Sequence, residues 1–328
     1  MNMRKAITIF LNIAILSFYI YFIVIKWDIF RSLLDIRIPF LLILTILIIL
    51  TWLANAFQAK LLLDCQGVRI GLFKNLLLIC ASVLGNHLPF RLGTIYRAHY
   101  LKKNYNVDYQ QFGSIIVFRF LLLIVLTGLI GILCVGYIYF SYQRFNIGFC
   151  LLMIGFSVVP LGGYWIQKTF LFNRSPQNRF WRKFEVFNSS LAMFSDNRAL
   201  MFKTSLFILL QIFIFSFRFF VSSMLLNERV PFIVLFLMAP IAISTSLLVL
   251  TPGGIGFRET LLGVVSQLTG YGFDSGVFMA TVDRGVLIAA TFIFGALSYI
   301  ALYLAANTNK VESPLNNYDS KGIKDNDG

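Results

Sequence analysis

Charge is scarce in this sequence. Only 13% of its 328 residues are Asp, Glu, Lys or Arg, about half the share that soluble domains carry. Acids are the scarcer sign, with 14 Asp and Glu against 28 Lys and Arg. Residues that bind metals or act as nucleophiles are also few. His87 and His99 have no acidic or cysteine ligand at a suitable spacing, so no metal site is expected. Cys65, Cys80, Cys134 and Cys150 show no metal or redox spacing, and three of them lie in apolar runs, so they read as inert buried thiols. No nucleotide-binding motif is present and no cofactor is expected; any driving force would be a gradient, a partner, or none. These shortages exclude a soluble enzyme domain.

What the chain has is apolar length. Hydrophobic residues make up 58% and there are 35 phenylalanines. The expected fold is an all-α polytopic membrane protein of eight hydrophobic segments: about six full spans and two broken helical hairpins. The net charge of +14 sits between apolar spans, where it sets orientation and meets anionic headgroups; it does not indicate nucleic acid. No small-residue cleavage site follows the first apolar run, so residues 5–25 read as a retained span. An amphipathic link follows at 26–37, then spans at about 39–63, 112–139, 147–165, 204–226 and 275–305. The broken segments are 73–104 and 231–270, and 168–203 is the one long polar connection. Residues 1–307 form one transmembrane domain with halves at about 5–140 and 147–305, and 308–328 read as a polar, disordered tail.

The breaks are marked by Pro89 and Gly93 in one half and by Pro252, Gly253, Gly254 and Gly256 in the other. Proline cannot continue a helix and glycine weakens one. Opened backbone in lipid must be buried in protein or line a wet cavity, which is where transporters build binding sites. In each half the proline stands four residues before the last glycine. Asn55 lies 38 residues before Gly93, and Arg218 lies 38 before Gly256. Arg119 follows its glycine by 26 residues and Arg284 follows by 28. These matches suggest two copies of one unit.

Seven basic residues in 168–203 place that connection in the cytoplasm. Counting spans from there gives both termini in the cytoplasm, hairpins entering from opposite sides, and copies inverted with respect to each other. If both broken segments crossed fully, the termini would still be cytoplasmic, but Lys102 and Lys103 would be outside, against the charge bias.

Arg119, Arg218 and Arg284 lie within apolar spans, where an arginine costs about 2.5–3.5 kcal/mol and is offset by a counter-charge or a wet cavity. Snorkelling to a headgroup competes with that reading, most of all for Arg119. Arg91, Arg97 and Arg258 sit at or just beyond the breaks. Residues 252–256 suit either an anion-binding helix N-terminus or a tight packing turn. Glu259 and Asp283 are the carboxylates expected near membrane depth, as counter-ions or as proton-coupling groups. Asp283 can pair with Arg258 or Arg119, and Glu259 with Arg284 or Arg218; adjacent Asp283 and Arg284 point about 100° apart on a helix.

With these motifs in view, the chain resembles the flippase-like transmembrane domain of the lysyl-phosphatidylglycerol synthase family. The resemblance rests on Gly85-Asn86-His87-Leu88-Pro89-Phe90-Arg91-Leu92-Gly93 with Arg97, on Arg119, on Thr251-Pro252-Gly253-Gly254-Ile255-Gly256-Phe257-Arg258-Glu259, and on Asp283-Arg284. The chain departs from the family pattern at Asn86-His87-Leu88-Pro89. Two-part members carry a soluble aminoacyl transferase domain after this region. The resemblance implies the lipid-translocating part without the synthase part: a multi-pass protein of the cytoplasmic (inner) membrane whose partners are membrane lipids. Its six arginines, Arg91, Arg97, Arg119, Arg218, Arg258 and Arg284, would take a lipid phosphate. Two other readings stay open: an enzyme acting on lipid-linked substrates through Glu259, Asp283 or His87, and a partner anchoring a separately encoded transferase through 168–203.

Overall fold

A computed structural model describes residues 38–87, 92–142, 154–155, 158, 179–225, 230–245 and 256–311. Nine helices and no strand occur among the described residues: α1 (Ile38–Cys65), α2 (Leu72–Gly85), α3 (Leu92–Tyr105), α4 (Tyr109–Tyr142), α5 (Arg179–Asp196), α6 (Arg198–Leu225), α7 (Phe232–Thr245), α8 (Phe257–Leu268) and α9 (Phe273–Val311). Four of them, α1, α4, α6 and α9, are long and apolar enough to cross a membrane. At 28 residues, α1 is ~42 Å long, against about 30 Å of hydrocarbon.

The surface fits that setting. Leu133, Phe140 and Phe202 are each more than 70% exposed. Their neighbours along the same helices, including Leu129, Tyr137, Leu206 and Leu210, are exposed as well. Water would not leave so continuous an apolar face uncovered; acyl chains would. The protein is a multi-pass membrane protein.

Helix order runs long, short, short, long and then the same again. α1, α2, α3 and α4 have 28, 14, 14 and 34 residues; α6, α7, α8 and α9 have 28, 14, 12 and 39. The two series cross over in packing. α1 lies along α6, α2 packs on α9, and α7 packs on α4. One apolar core gathers α4, α6, α7, α8 and α9 around Phe219, Leu237 and Met279. A second gathers the ends of α1 to α6 and α9 around Leu62, Leu101 and Phe194.

Both expected breaks separate pairs of short helices, α2 from α3 and α7 from α8. At the first, α2 and α3 meet through glycine. A Cβ on Gly85 would lie 2.6 Å from the Gly93 Cα, and one on Gly93 would overlap the Ser82 carbonyl oxygen. Asn86 bridges the turn. Its Oδ1 accepts from the Thr94 backbone N–H at 2.9 Å and from the Thr94 hydroxyl at 3.1 Å. It thereby satisfies one of the open donors in the first turn of α3. This gives a local reason for one residue of the departure at 86–89.

Two boundaries differ from expectation. The polar connection 168–203 is not all loop: it holds α5, and α6 starts at Arg198 rather than 204. Asn197 sets that start, with its side-chain oxygen accepting the Leu200 N–H at 3.0 Å. α5 is amphipathic and lays Leu191 and Phe194 into the second core. α9 runs on to Val311, beyond 305. The expected first span, the link after it, the fourth span apart from residues 154–155 and 158, and residues 312–328 lie outside the described residues.

The hairpin geometry predicts unequal costs. Gly93→Val forces α2 and α3 apart and should leave little monodisperse protein after detergent extraction. Asn86→Ala removes one cap and should cost about 1 kcal/mol, read as a small drop in thermal midpoint. A Gly93→Val protein as stable as wild type would contradict the close packing of α2 on α3.

Candidate functional site

α8 and α9 form a helical hairpin whose turn, residues 269–272, places Gly270 and Gly272 at φ +91° and +82°. Arg258 and Glu259 stand about ten residues before the turn, and Asp283 and Arg284 about ten residues after it. At 1.5 Å per residue all four reach a similar depth, ~15 Å from the turn. That is why residues 25 apart in sequence meet.

They meet as a buried ionic network. Arg218 Nε, from α6, donates to Asp283 Oδ1 at 2.7 Å, and Arg258 Nη2 donates to Asp283 Oδ2 at 2.7 Å. Arg284 Nη1 donates to Glu259 Oε1 at 3.1 Å. The other oxygen of Glu259 accepts the Gly256 N–H at 2.8 Å. This caps α8 at a residue whose φ of +85° is open to glycine and strained for other side chains. Asp283 and Glu259 are fully buried, and Arg218, Arg258 and Arg284 are buried with them. Phenylalanine rings take up the remaining cationic faces. The Arg218 guanidinium lies 4.1 Å from the Phe215 ring centre, and Arg258 lies 5.3 Å from Phe215 and 5.9 Å from Phe219. Three guanidinium groups against two carboxylates leave one net positive charge.

The first half builds a second cationic cluster in the same way, around the short link 106–108 between α3 and α4. Asn106 caps α3 at φ +56°. Arg97 lies ~12 Å back from the end of α3 and Arg119 ~15 Å along α4, so both reach a similar depth. Arg119 Nη2 donates to Asn55 Oδ1 on α1. Arg97 packs over the Phe112 ring at 5.6 Å and its Nε has no hydrogen-bond partner among the described residues. α3 and α4 pack on each other across this link. Both side chains, and Asn55, are half-buried rather than sealed.

Of the residues singled out in the sequence, Arg218, Arg258 and Asp283 share one ion cluster with the Arg284–Glu259 pair on the adjacent positions, and Arg97 and Arg119 stand at a similar depth on neighbouring helices. Asp283 meets Arg258, one of the two partners expected for it, and Glu259 meets Arg284, one of its two. The alternatives differ from what is seen. Arg218 binds Asp283 and not Glu259, and Arg119 binds Asn55 and not Asp283. Arg91, Pro89, Pro252, Gly253 and Gly254 lie outside the described residues; Gly93 and Gly256 stand at the helix starts. Phe215 and Phe219 were not singled out. Their signal was available, since they lie three residues before and one after Arg218 on an apolar helix.

Chemically, each carboxylate has both oxygens engaged, which suits a counter-ion better than a general base. The excess of cations suits an anion. Breaking one side of a buried pair costs about 3–5 kcal/mol. Asp283→Asn should therefore lower stability by about that much, read by thermal unfolding in detergent. An Asp283→Asn/Arg258→Met double variant should recover part of the loss, because one uncompensated charge is removed as well. Equal stability of Asp283→Asn and wild type would mean the network carries no such load.

No curated protein and no solved structure matches the chain. A family model does: the lysylphosphatidylglycerol synthase TM region matches residues 9–295. The match takes in both helical breaks, both arginine clusters, three candidate spans in full and the fourth, α9, as far as Gly295. The chain therefore belongs to the family of the lysylphosphatidylglycerol synthase transmembrane region.

Proposed function

We propose that this protein translocates a phosphate-bearing lipid across the cytoplasmic membrane and is not itself an enzyme. The observation that carries the reading is a charge imbalance inside the helical bundle. Five guanidinium groups, from Arg97, Arg119, Arg218, Arg258 and Arg284, lie there against two carboxylates. Such an excess is costly in lipid unless something anionic shares the site. A lipid phosphate supplies the anion and leaves its tails in the bilayer. The family adds a lipid-related role for this membrane region.

In this reading Arg91, Arg97, Arg119, Arg218, Arg258 and Arg284 give the path its positive potential. The two helical hairpins belong to inverted copies, in a layout of six spans with both termini in the cytoplasm. The recurring helix lengths support that layout. So do the crossed contacts, α2 with α9 and α7 with α4. Alternating exposure of the two halves would carry the headgroup from one leaflet to the other.

Proteoliposomes test this. Fluorescent phosphatidylglycerol, phosphatidylcholine and a polyprenyl phosphate are each followed for leaflet exchange. Wild-type protein should speed exchange of at least one of them about tenfold over protein-free vesicles, a barrier change of about 1.4 kcal/mol. An Arg97→Gln/Arg119→Gln variant of normal thermal midpoint should fall back to the vesicle rate. Exchange of all three at the protein-free rate would sink the translocator.

A further inference from the structure

The two clusters share a framework but not a charge balance. At a common offset of 163 residues Asn55 aligns with Arg218, Pro89 with Pro252, Gly93 with Gly256 and Tyr96 with Glu259. The residue before Arg284 is Asp283; the residue before Arg119 is Phe118. So where the second half has two carboxylates, the first half has two aromatic rings. The contact between long helices is kept in both. Arg218 of α6 meets Asp283 of α9, and Asn55 of α1 meets Arg119 of α4. In the first half that contact joins a cation to a neutral amide.

Arg97 and Arg119 therefore have no carboxylate partner among the described residues. The nearest acid along the chain, Asp108, pairs with Lys102 at 3.7 Å on the exposed end of the hairpin. Asn55 can accept from Arg119 but cannot neutralise it. Two like charges at this depth repel each other, and a doubly contacted oxyanion between them would relieve the repulsion. Both residues are partly exposed, although the Arg97 Nε itself is buried, whereas Arg218 and Arg258 are sealed with Asp283.

We propose that a lipid phosphate binds directly to Arg97 and Arg119, with Asn55 holding the Arg119 fork in place, while Arg218, Arg258 and Arg284 serve as a fixed internal ion network that does not touch the lipid. This rests on the translocator reading for its ligand, but it concerns binding and has its own readout. The ligand chemistry is a phosphate oxyanion carried on a membrane lipid. Guanidinium forks match that geometry, and the apolar surroundings match the tails.

Asn55→Asp is the discriminating change. It is isosteric and keeps an acceptor on Arg119, but it supplies the missing carboxylate, so the protein should fold at least as well as wild type. Phosphatidylglycerol binding to detergent-purified protein is measured by native mass spectrometry, with diacylglycerol as a phosphate-free control. Asn55→Asp and Arg119→Gln should each weaken phosphatidylglycerol binding about tenfold or more and leave diacylglycerol binding unchanged. Wild-type phosphatidylglycerol affinity in both variants overturns the site. If binding falls as expected but wild type exchanges no lipid in proteoliposomes, the binding site stands and the translocator reading fails. If wild type exchanges lipid and Asn55→Asp matches it in both binding and exchange, the site fails and the translocator stands. Inorganic phosphate separates the sources of the anion. A thermal shift with inorganic phosphate that Asn55→Asp abolishes, without any difference in phosphatidylglycerol binding, overturns the lipid assignment in favour of a soluble anion.

Discussion

An arginine inside a membrane protein has to be matched, and Asp283 is where this protein does most of that matching. Its two oxygens take one guanidinium from α6 and one from α8, at 2.7 Å each. Being on α9 itself, it ties three helices at one point. The cost of desolvating the ions is large, and it is met only when geometry is good and remaining donors are covered. Here Phe215 and Phe219 cover cationic faces of Arg218 and Arg258, while Arg218 Nη2 and Arg258 Nε have no hydrogen-bond partner among the described residues. Glu259 repeats the device one residue along each helix, and its second oxygen fixes the start of α8. The broken helix and the ion network are thus one construction. The break frees the Gly256 N–H, and a network carboxylate receives it.

The first half has the same skeleton without the acids, and its break is closed by different means. Asn86 takes the Thr94 N–H, a neutral cap where the second half uses a charged one. Gly85 and Gly93 bring α2 and α3 into contact. Neutral closure leaves the arginines of this half uncommitted. A fold built from two similar halves can then divide the work. In the proposed division one half offsets all but one of its own charges and serves as a rigid frame, and the other keeps its charge for a ligand.

Much of this was legible in the sequence because membranes simplify the code. Long apolar runs located α1 and α4 to within three residues and α6 and α9 to within six, and prolines and glycines located both breaks. An intramembrane charge is expensive enough that each arginine and carboxylate singled out among the described residues belongs to a cluster. Partner choice was less legible. Asp283 and Arg284 were seen to face different ways, but the depth of Arg218 depended on where α6 begins. That start is set by a single side-chain bond from Asn197 inside what reads as a polar connection. α5 is hidden for a related reason: its amphipathic pattern is interrupted by charge, and clustered basic charge between apolar runs reads as a polar connection. Asn55 was noticed for its spacing, but spacing does not say that an amide will face Arg119.

The contrast between Asn55 and Arg218 bears on why the second network is so fully closed. A translocation path that offered five equally free guanidinium groups would hold a phosphate tightly and release it slowly, since each added charge-assisted bond deepens the well. Transport needs a site strong enough to draw the headgroup out of water and weak enough to let it leave. Committing Arg218, Arg258 and Arg284 to Asp283 and Glu259 lowers the local excess to one charge while the positive field persists. In the proposed site Arg119, held by a neutral amide, and Arg97, over the Phe112 ring, would then give a well of moderate depth beside helices whose outer faces suit acyl chains.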